Sequence, residues 1–383
     1  MQLEKLEYCQ FEGQPNEWKL EGATFENINL IVGKNATGKS RVLNIIGSLA
    51  NILSRARKLP YLNGKYKVHF KKNKKSIIYS LEYKEEMIIK EKLVVDKETL
   101  MTRMSDGKGK IVSTQFKEKM NFQTSINEVA AFTKRDSIQH PFLDDLYTWA
   151  EYLIHFRFGT PLGKDKLIAL NRTKTDKSES QIDLKDTNEV LRKLQEGINK
   201  FGSKFISQIR KDMASLGYEI KNIELGSPVS FRIESGLQKA PLCLIVKEAD
   251  LKGKTDQNDM SQGMFRALSL IVQINYVSMS KVSSCILIDD IGEGLDYERS
   301  TSLIKLIVKK AKDKAFQLIM ATNDRFVMNN VALQHWSIIN RLGNKSVLYN
   351  SVNSKNLFNE FEMIGLDNFD FFSSNYYLKG LRK

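Results

Sequence analysis

Residues 33 to 40 read GKNATGKS, and no other stretch constrains the fold as strongly. Gly33, Gly38, Lys39 and Ser40 stand at the spacing of a phosphate-gripping loop. The glycines permit a tight turn in which the N–H groups of Lys34, Asn35, Ala36, Thr37 and Gly38 can point at phosphate oxygens. In such a loop the lysine, Lys39, reaches the β- and γ-phosphates, and the Ser40 hydroxyl ligates Mg²⁺. The flanks agree. NINLIV (27–32) is an apolar run suited to a buried strand. SRVLNIIGSLANILSRARK (40–58) carries Val42, Leu43, Ile45, Ile46, Leu49, Ile52 and Leu53 at helix spacing. Strand, loop and helix in that order aim a helix N-terminus at phosphate.

Such a loop needs an acidic partner at a strand end. Residues 285–290 read CILIDD, four apolar residues followed by Asp289 and Asp290. Asp289 is the candidate Mg²⁺ residue, and Asp290 stands where a catalytic base would orient water. Leu295 and Asp296 follow six residues on, within DDIGEGLDYERS. Upstream, DMSQGMFRA (259–267) is similar to the ABC signature: Met260 stands for Leu, Ser261 is kept, Gln262 stands for the first Gly, Gly263 is kept, Met264 stands for Gln and Arg266 is kept. Ser261 also suits an ordinary helix N-cap. A helix over 301–312 and a strand FQLIMAT then lead to Asn323, at the place of a switch His. Asn donates a hydrogen bond but does not titrate near neutral pH. Asp290 for Glu and Asn323 for His are both departures that bear on hydrolysis rate, because a base one methylene too short is misplaced.

Residues 1–58 and 240–345 together resemble the ABC-type ATPase heads of the SMC, RecF and OLD group. More narrowly, the chain resembles stand-alone ATPases of bacterial anti-phage defence operons, such as those of Septu and PARIS. The resemblance implies an α/β P-loop NTPase head (1–58 and 240–345) with an antiparallel β arm (60–118), a largely helical inserted lid (119–239) and a C-terminal tail (346–383). It implies ATP and Mg²⁺ as ligands and a homodimer with ATP sandwiched between heads. Ser261 and Gly263 would touch the γ-phosphate across the dimer, with Asp296 in the adjoining loop. A Q-loop glutamine is expected near the arm's return, and Gln123 is the candidate, with nothing local to separate it from Gln115. The family pairs its ATPase with a nuclease or toxin. Sixty residues follow Asn323, without the acidic cluster of a fused TOPRIM nuclease, so the expected effector acts in trans.

The remaining chain is read from pattern. Fifty-nine Lys and Arg against 45 Asp and Glu give a net charge of +14. That excess fits a nucleic-acid partner, or equally a Lys-rich solvated surface. Alternation in KYKVHFKKNKKSIIYSLEY suggests antiparallel strands, and HFKKNKKS (69–76) offers lysines beside aromatics, the phosphate-contact pattern. MSDGKGKIV reads as a hairpin with a D-G turn. Residues 127–152 read as helical with Trp149 and Tyr152 in the core, and 191–213 as one amphipathic helix. Strands are expected near YEIKNIEL and VSFRIES, and a polar loop over 171–186. The aromatic stretch 361–380 is either a docking motif or a final packed helix. Three cysteines cannot build a disulfide framework and carry no metal spacing, the four histidines are scattered, and the first ten residues hold no apolar signal core. No apolar run approaches the ~20 residues of a membrane span. A cytoplasmic protein without membrane contact is expected.

Overall fold

The computed structural model describes residues 1–54, 59, 61–169, 183, 185–230, 241–280, 284–313 and 316–381. Strands β1 (Gln2–Gln10) and β2 (Trp18–Thr24) lead to the short strand β3 (Ile28–Val32) and helix α1 (Lys39–Leu53). An antiparallel meander follows: β4 (Asn63–Lys72), β5 (Lys75–Lys84), β6 (Met87–Val95), β7 (Glu98–Met104), β8 (Lys108–Ser113) and β9 (Glu118–Gln123). Helices α2 (Ala130–Thr133) and α3 (Pro141–Glu151) precede β10 (Ile154–Arg157), β11 (Ile168–Ala169), α4 (Val190–Phe201) and α5 (Ser203–Ser215). Then come β12 (Ile220–Gly226), β13 (Pro241–Glu248), β14 (Thr255–Asp256), α6 (Gln262–Ser280), β15 (Ser284–Asp289), α7 (Tyr297–Lys312) and β16 (Phe316–Thr322). Last are α8 (Arg325–Asn329), β17 (Trp336–Leu342), β18 (Lys345–Asn350), α9 (Lys355–Glu362) and α10 (Asn368–Ser373).

One large sheet has the order β10-β15-β16-β3-β17-β18-β2-β1-β4-β5-β6-β7-β8-β9. From β10 to β17 its strands run parallel; from β1 to β9 they are antiparallel. The parallel strands read as continuous apolar runs because both their faces are covered. Alternation divides the core in two. Leu30, Val32, Ile286, Ile288, Leu318 and Met320 face the layer of α6 and α7. Ile31, Cys285, Leu287, Ile319 and Ala321 face the layer of α1 and α3 and the inner side of the meander.

Several expectations change. The meander runs on to Gln123. Segment 119–239 is not only a lid, because β10 pairs in parallel with β15 and belongs to the main sheet. The helix expected over 191–213 breaks at Gly202, whose φ of 63° only glycine adopts cheaply. Trp149 is buried against Phe70, with ring centroids 4.8 Å apart, whereas Tyr152 is only half-buried. Phe70 therefore faces the core and cannot stack on a base. Lys71 and Lys72 of the same stretch are paired with Glu4 and Asp145. The D-G turn joins β7 to β8, with Gly107 at φ 78°. YEIKNIEL supplies β12, while most of VSFRIES and of the polar loop 171–186 lies outside the described residues. Residues 346–350 of the expected tail are strand, and its aromatics pack inward: Phe358, Phe361, Phe371 and Tyr377 are buried.

A polar cluster ties the lid helices to the head. Asp212 of α5 pairs with Lys310 of α7 at 2.8 Å and accepts from Asn275 of α6 at 2.7 Å. Lys310 also donates to the Asn275 side chain at 3.0 Å. Asp212 is 3% exposed, so removing it strands a half-enclosed ammonium. Asp212→Ala is expected to destabilise the fold by about 3 kcal/mol, read as a lowered urea midpoint with an unchanged slope.

Candidate functional site

The loop between β3 and α1 takes its shape from the backbone up. Ala36 and Gly38 have φ values of 64° and 109°. A side chain at Gly33 would meet Ile339 of β17 at 2.6 Å, so only glycine fits there. Ser346 of β18 donates to the Thr37 carbonyl at 2.8 Å, and the Trp18 indole donates to Ser346 at 3.2 Å. Thr37 also donates to the Lys34 carbonyl at 2.8 Å. The Arg41 guanidinium lies 4.0 Å over the Trp18 ring. Trp18, Ile339 and Ser346 are site-shaping residues that sequence pattern missed. Their one signal was proximity in the fold, which spacing does not carry.

Lys39 is 7% exposed and curls back, donating to the Gly33 and Lys34 carbonyls at 2.7 and 3.2 Å. Burial lowers its pKa, and Asp290 and Asp289 oppose that shift. Lys34, Asn35, Ala36 and Ser40 are exposed, with Thr37 and Gly38 half-buried. The Ser40 hydroxyl donates to the Asp289 carboxylate at 3.1 Å. These two oxygens reach each other although β15 is not the neighbour of β3, since β16 lies between them. Asn323, at the end of β16, therefore emerges exposed between the loop and the two aspartates. Asp289 is 8% exposed, and burial raises its pKa, with Ser40 pulling the other way. Asp290 has φ 53°, a conformation that costs energy outside glycine and clusters at functional sites.

A hydroxyl and a carboxylate side by side are hard oxygen donors suited to Mg²⁺, which keeps waters and phosphate oxygens as its other ligands. Consistent with so sparse a donor set, no group of three or more His, Cys, Asp or Glu side chains among the described residues is arranged to hold a metal.

The remaining candidates lie elsewhere. Ser261 is exposed and caps α6, accepting from the Met264 N–H at 3.2 Å. Gly263 is buried against its own chain, where a side chain would meet the Gly294 carbonyl at 2.6 Å. Asp296 caps α7, accepting from the Arg299 N–H at 3.0 Å and pairing with its guanidinium; that backbone bond is the main cause of its lowered pKa. Arg266 binds three carbonyls: Gly159 at 2.8 Å, Thr160 at 3.1 Å and Glu293 at 3.1 Å. Gln123 is a correction. It lies exposed on β9, ten strands along the sheet from β3. The chain's return to the head comes later, at β10.

Among solved structures, an SMC head bound to the C-winged helix domain of ScpA is similar over 91% of this chain and 97% of that one, at 15% identity and a TM-score of 0.54. The chain has the fold of an SMC head. The SMC head domain from Thermotoga maritima matches at 14% identity and a TM-score of 0.47, covering 91% of this chain and 99% of that one. An SMC head domain with an extended coiled coil bound to the C-terminal domain of ScpA, derived from Pyrococcus furiosus, has the same identity and score over 94% and 99%. No protein-family model and no curated protein matches the chain. Among the described residues no helix is long and apolar enough to cross a membrane.

Because burial raises the Asp289 pKa, its charge opposes folding of the ligand-free chain. The stability contribution of the protonated carboxyl is complete below the unfolded pKa and is lost as pH rises through the folded one. Asp289→Asn keeps the acceptor for Ser40 and removes the charge. It is expected to raise ligand-free stability at neutral pH by about 1 kcal/mol. Paired thermal melts of the two ligand-free chains check it.

Proposed function

We propose that the chain is an ATP-binding and ATP-hydrolysing switch that dimerises around nucleotide and controls a partner protein in trans. The observation that carries the reading is the meeting of Lys39, Ser40 and Asp289 at one edge of the sheet, with Ser40 and Asp289 3.1 Å apart. Lys39 would exchange its backbone carbonyls for phosphate oxygens. Ser40 and Asp289 would hold Mg²⁺, which when bound neutralises phosphate charge and polarises the terminal phosphoryl group. Asp290 would orient the attacking water, and Asn323 would donate a hydrogen bond to the γ-phosphate or that water. Exposed Ser261, at the start of the nineteen-residue α6, would meet the γ-phosphate of a second copy, since a helix N-terminus favours an anion. Gly263 would seat that helix start closely on Gly294 of its own chain, and Asp296 would hold the loop beside it. Asp290 and Asn323 make slow turnover the expected regime.

The partner is read as a nuclease- or toxin-like effector in phage defence, on the resemblance described above. The similar SMC head was itself solved with a partner domain bound, which supports a partner-binding head. Three free cysteines, two of them buried, suit a reducing cytoplasm.

A second reading, a nucleic-acid-binding repair ATPase, draws on one surface. Lys67, Ser80, Lys92, Thr102, Lys110 and Asn121 are consecutive cross-strand neighbours from β4 to β9. That row sets lysines about 10 Å apart on alternate strands, with hydroxyl and amide groups between that can bond phosphate oxygens, and Lys67 at its end also pairs with Glu7 at 3.7 Å. Duplex binding that weakens steeply with salt and strengthens with ATP is its expected signature.

Lys39→Ala is expected to weaken Mg²⁺-dependent ATP binding roughly 10- to 100-fold, measured by displacement of a fluorescent ATP analogue. Asp290→Asn should keep affinity and lower turnover roughly 100-fold or more. Wild-type binding by the Lys39 variant would sink the ATPase reading.

A further inference from the structure

The Q-loop place is not vacant of chemistry, although no glutamine stands between Gln139 and Gln181. The strand that returns the chain to the head is β10, paired in parallel with β15. In that register Arg157 stands opposite Asp289, about 4.8 Å away between strands. The ladder continues one step further, with the Phe158 N–H donating to the Asp289 carbonyl at 2.9 Å. Arg157 thus ends its strand at the carboxyl edge of a parallel sheet, where such folds bind ligands.

Its direction follows from alternation. Ile154 and Phe156 belong to the α6 side of the core. His155 and Arg157 point the other way, toward α1: His155 lies against Gly47, and the Arg157 guanidinium donates to the Asn44 side chain at 3.0 Å. Asn44 is four residues after Ser40, so the two share a face of α1, one turn apart. The guanidinium therefore rests beside the Ser40–Asp289 pair. Arg157 is exposed, and its Asn44 contact is one neutral-acceptor hydrogen bond, weak beside the bidentate contacts a guanidinium makes to phosphate.

We propose that Arg157 is a substrate-binding residue supplied in cis, which leaves Asn44 to contact the γ-phosphate of bound ATP and so discriminates ATP from ADP. The inference rests on the ATP reading above and extends it to a residue outside the phosphate-loop, Walker B and signature motifs. A cation fixed at that edge favours the ligand carrying one more phosphate, because the added charge lies where the guanidinium can reach it. ADP, ending one phosphate earlier, would leave Arg157 on Asn44.

The test is equilibrium binding of a non-hydrolysable ATP analogue with a β,γ-imido bridge, and of ADP, both with Mg²⁺, to the wild-type chain, Arg157→Ala and Arg157→Lys. The Ala variant is expected to lose roughly 10- to 100-fold in affinity for the triphosphate and less than about threefold for ADP, with an unchanged thermal melt. The Lys variant should recover part of the difference, as a point charge without the fork. Equal loss for both nucleotides, or no loss for either, in a wild-type background that binds both, overturns this inference alone. A wild-type chain that binds neither nucleotide removes the ATP reading and this proposal with it, before any variant is compared.

Discussion

The site depends on a close approach between distant parts of the chain. Gly33 lies so near Ile339 that no side chain fits between them, and Ser346 holds the next turn of the loop from the same hairpin. Three hundred residues separate these partners in sequence. The loop's shape is therefore imposed by the β17–β18 hairpin and by Trp18 as much as by its own glycines. A phosphate loop must present N–H groups in a fixed fan, and a free peptide with this sequence would spend its time elsewhere.

The local part of this arrangement was legible in the residues. The apolar runs at 28–32, 285–288 and 316–321 read as buried strands, and Asp289 and Asp290 closed one of them. Ser40 and Asp289 could be named as partners because a phosphate loop and an acidic strand end share one chemistry. Sheet order was not legible. Nothing in the residues shows β16 wedged between β3 and β15, or β10 seated beyond β15, because parallel pairing between remote strands leaves no periodic trace. Gln123 failed for that reason. It stands near the end of the arm along the chain, while the head is rejoined about thirty residues later, at a strand only four residues long. The break at Gly202 was hidden for another reason: apolar spacing continues through it, and only the backbone angle separates α4 from α5.

The electrostatics of the edge follow from its burial. Asp289 is enclosed and Lys39 is folded onto its own loop, so each is held in the less charged direction that low polarity favours. The strained backbone at Asp290 belongs to the same edge. These are costs that burial and backbone shape impose on the ligand-free chain.

Arg266 touches no candidate phosphate or metal ligand, yet its guanidinium joins the loop after β10 to the loop after β15 through three backbone carbonyls. It belongs to α6, five residues after the exposed cap Ser261. The beginning of α6 and both edge loops are thus fastened like spokes to one hub. A push on exposed Ser261 would be felt at Gly159 and Glu293 together, so the two loops would answer to the outside surface in unison.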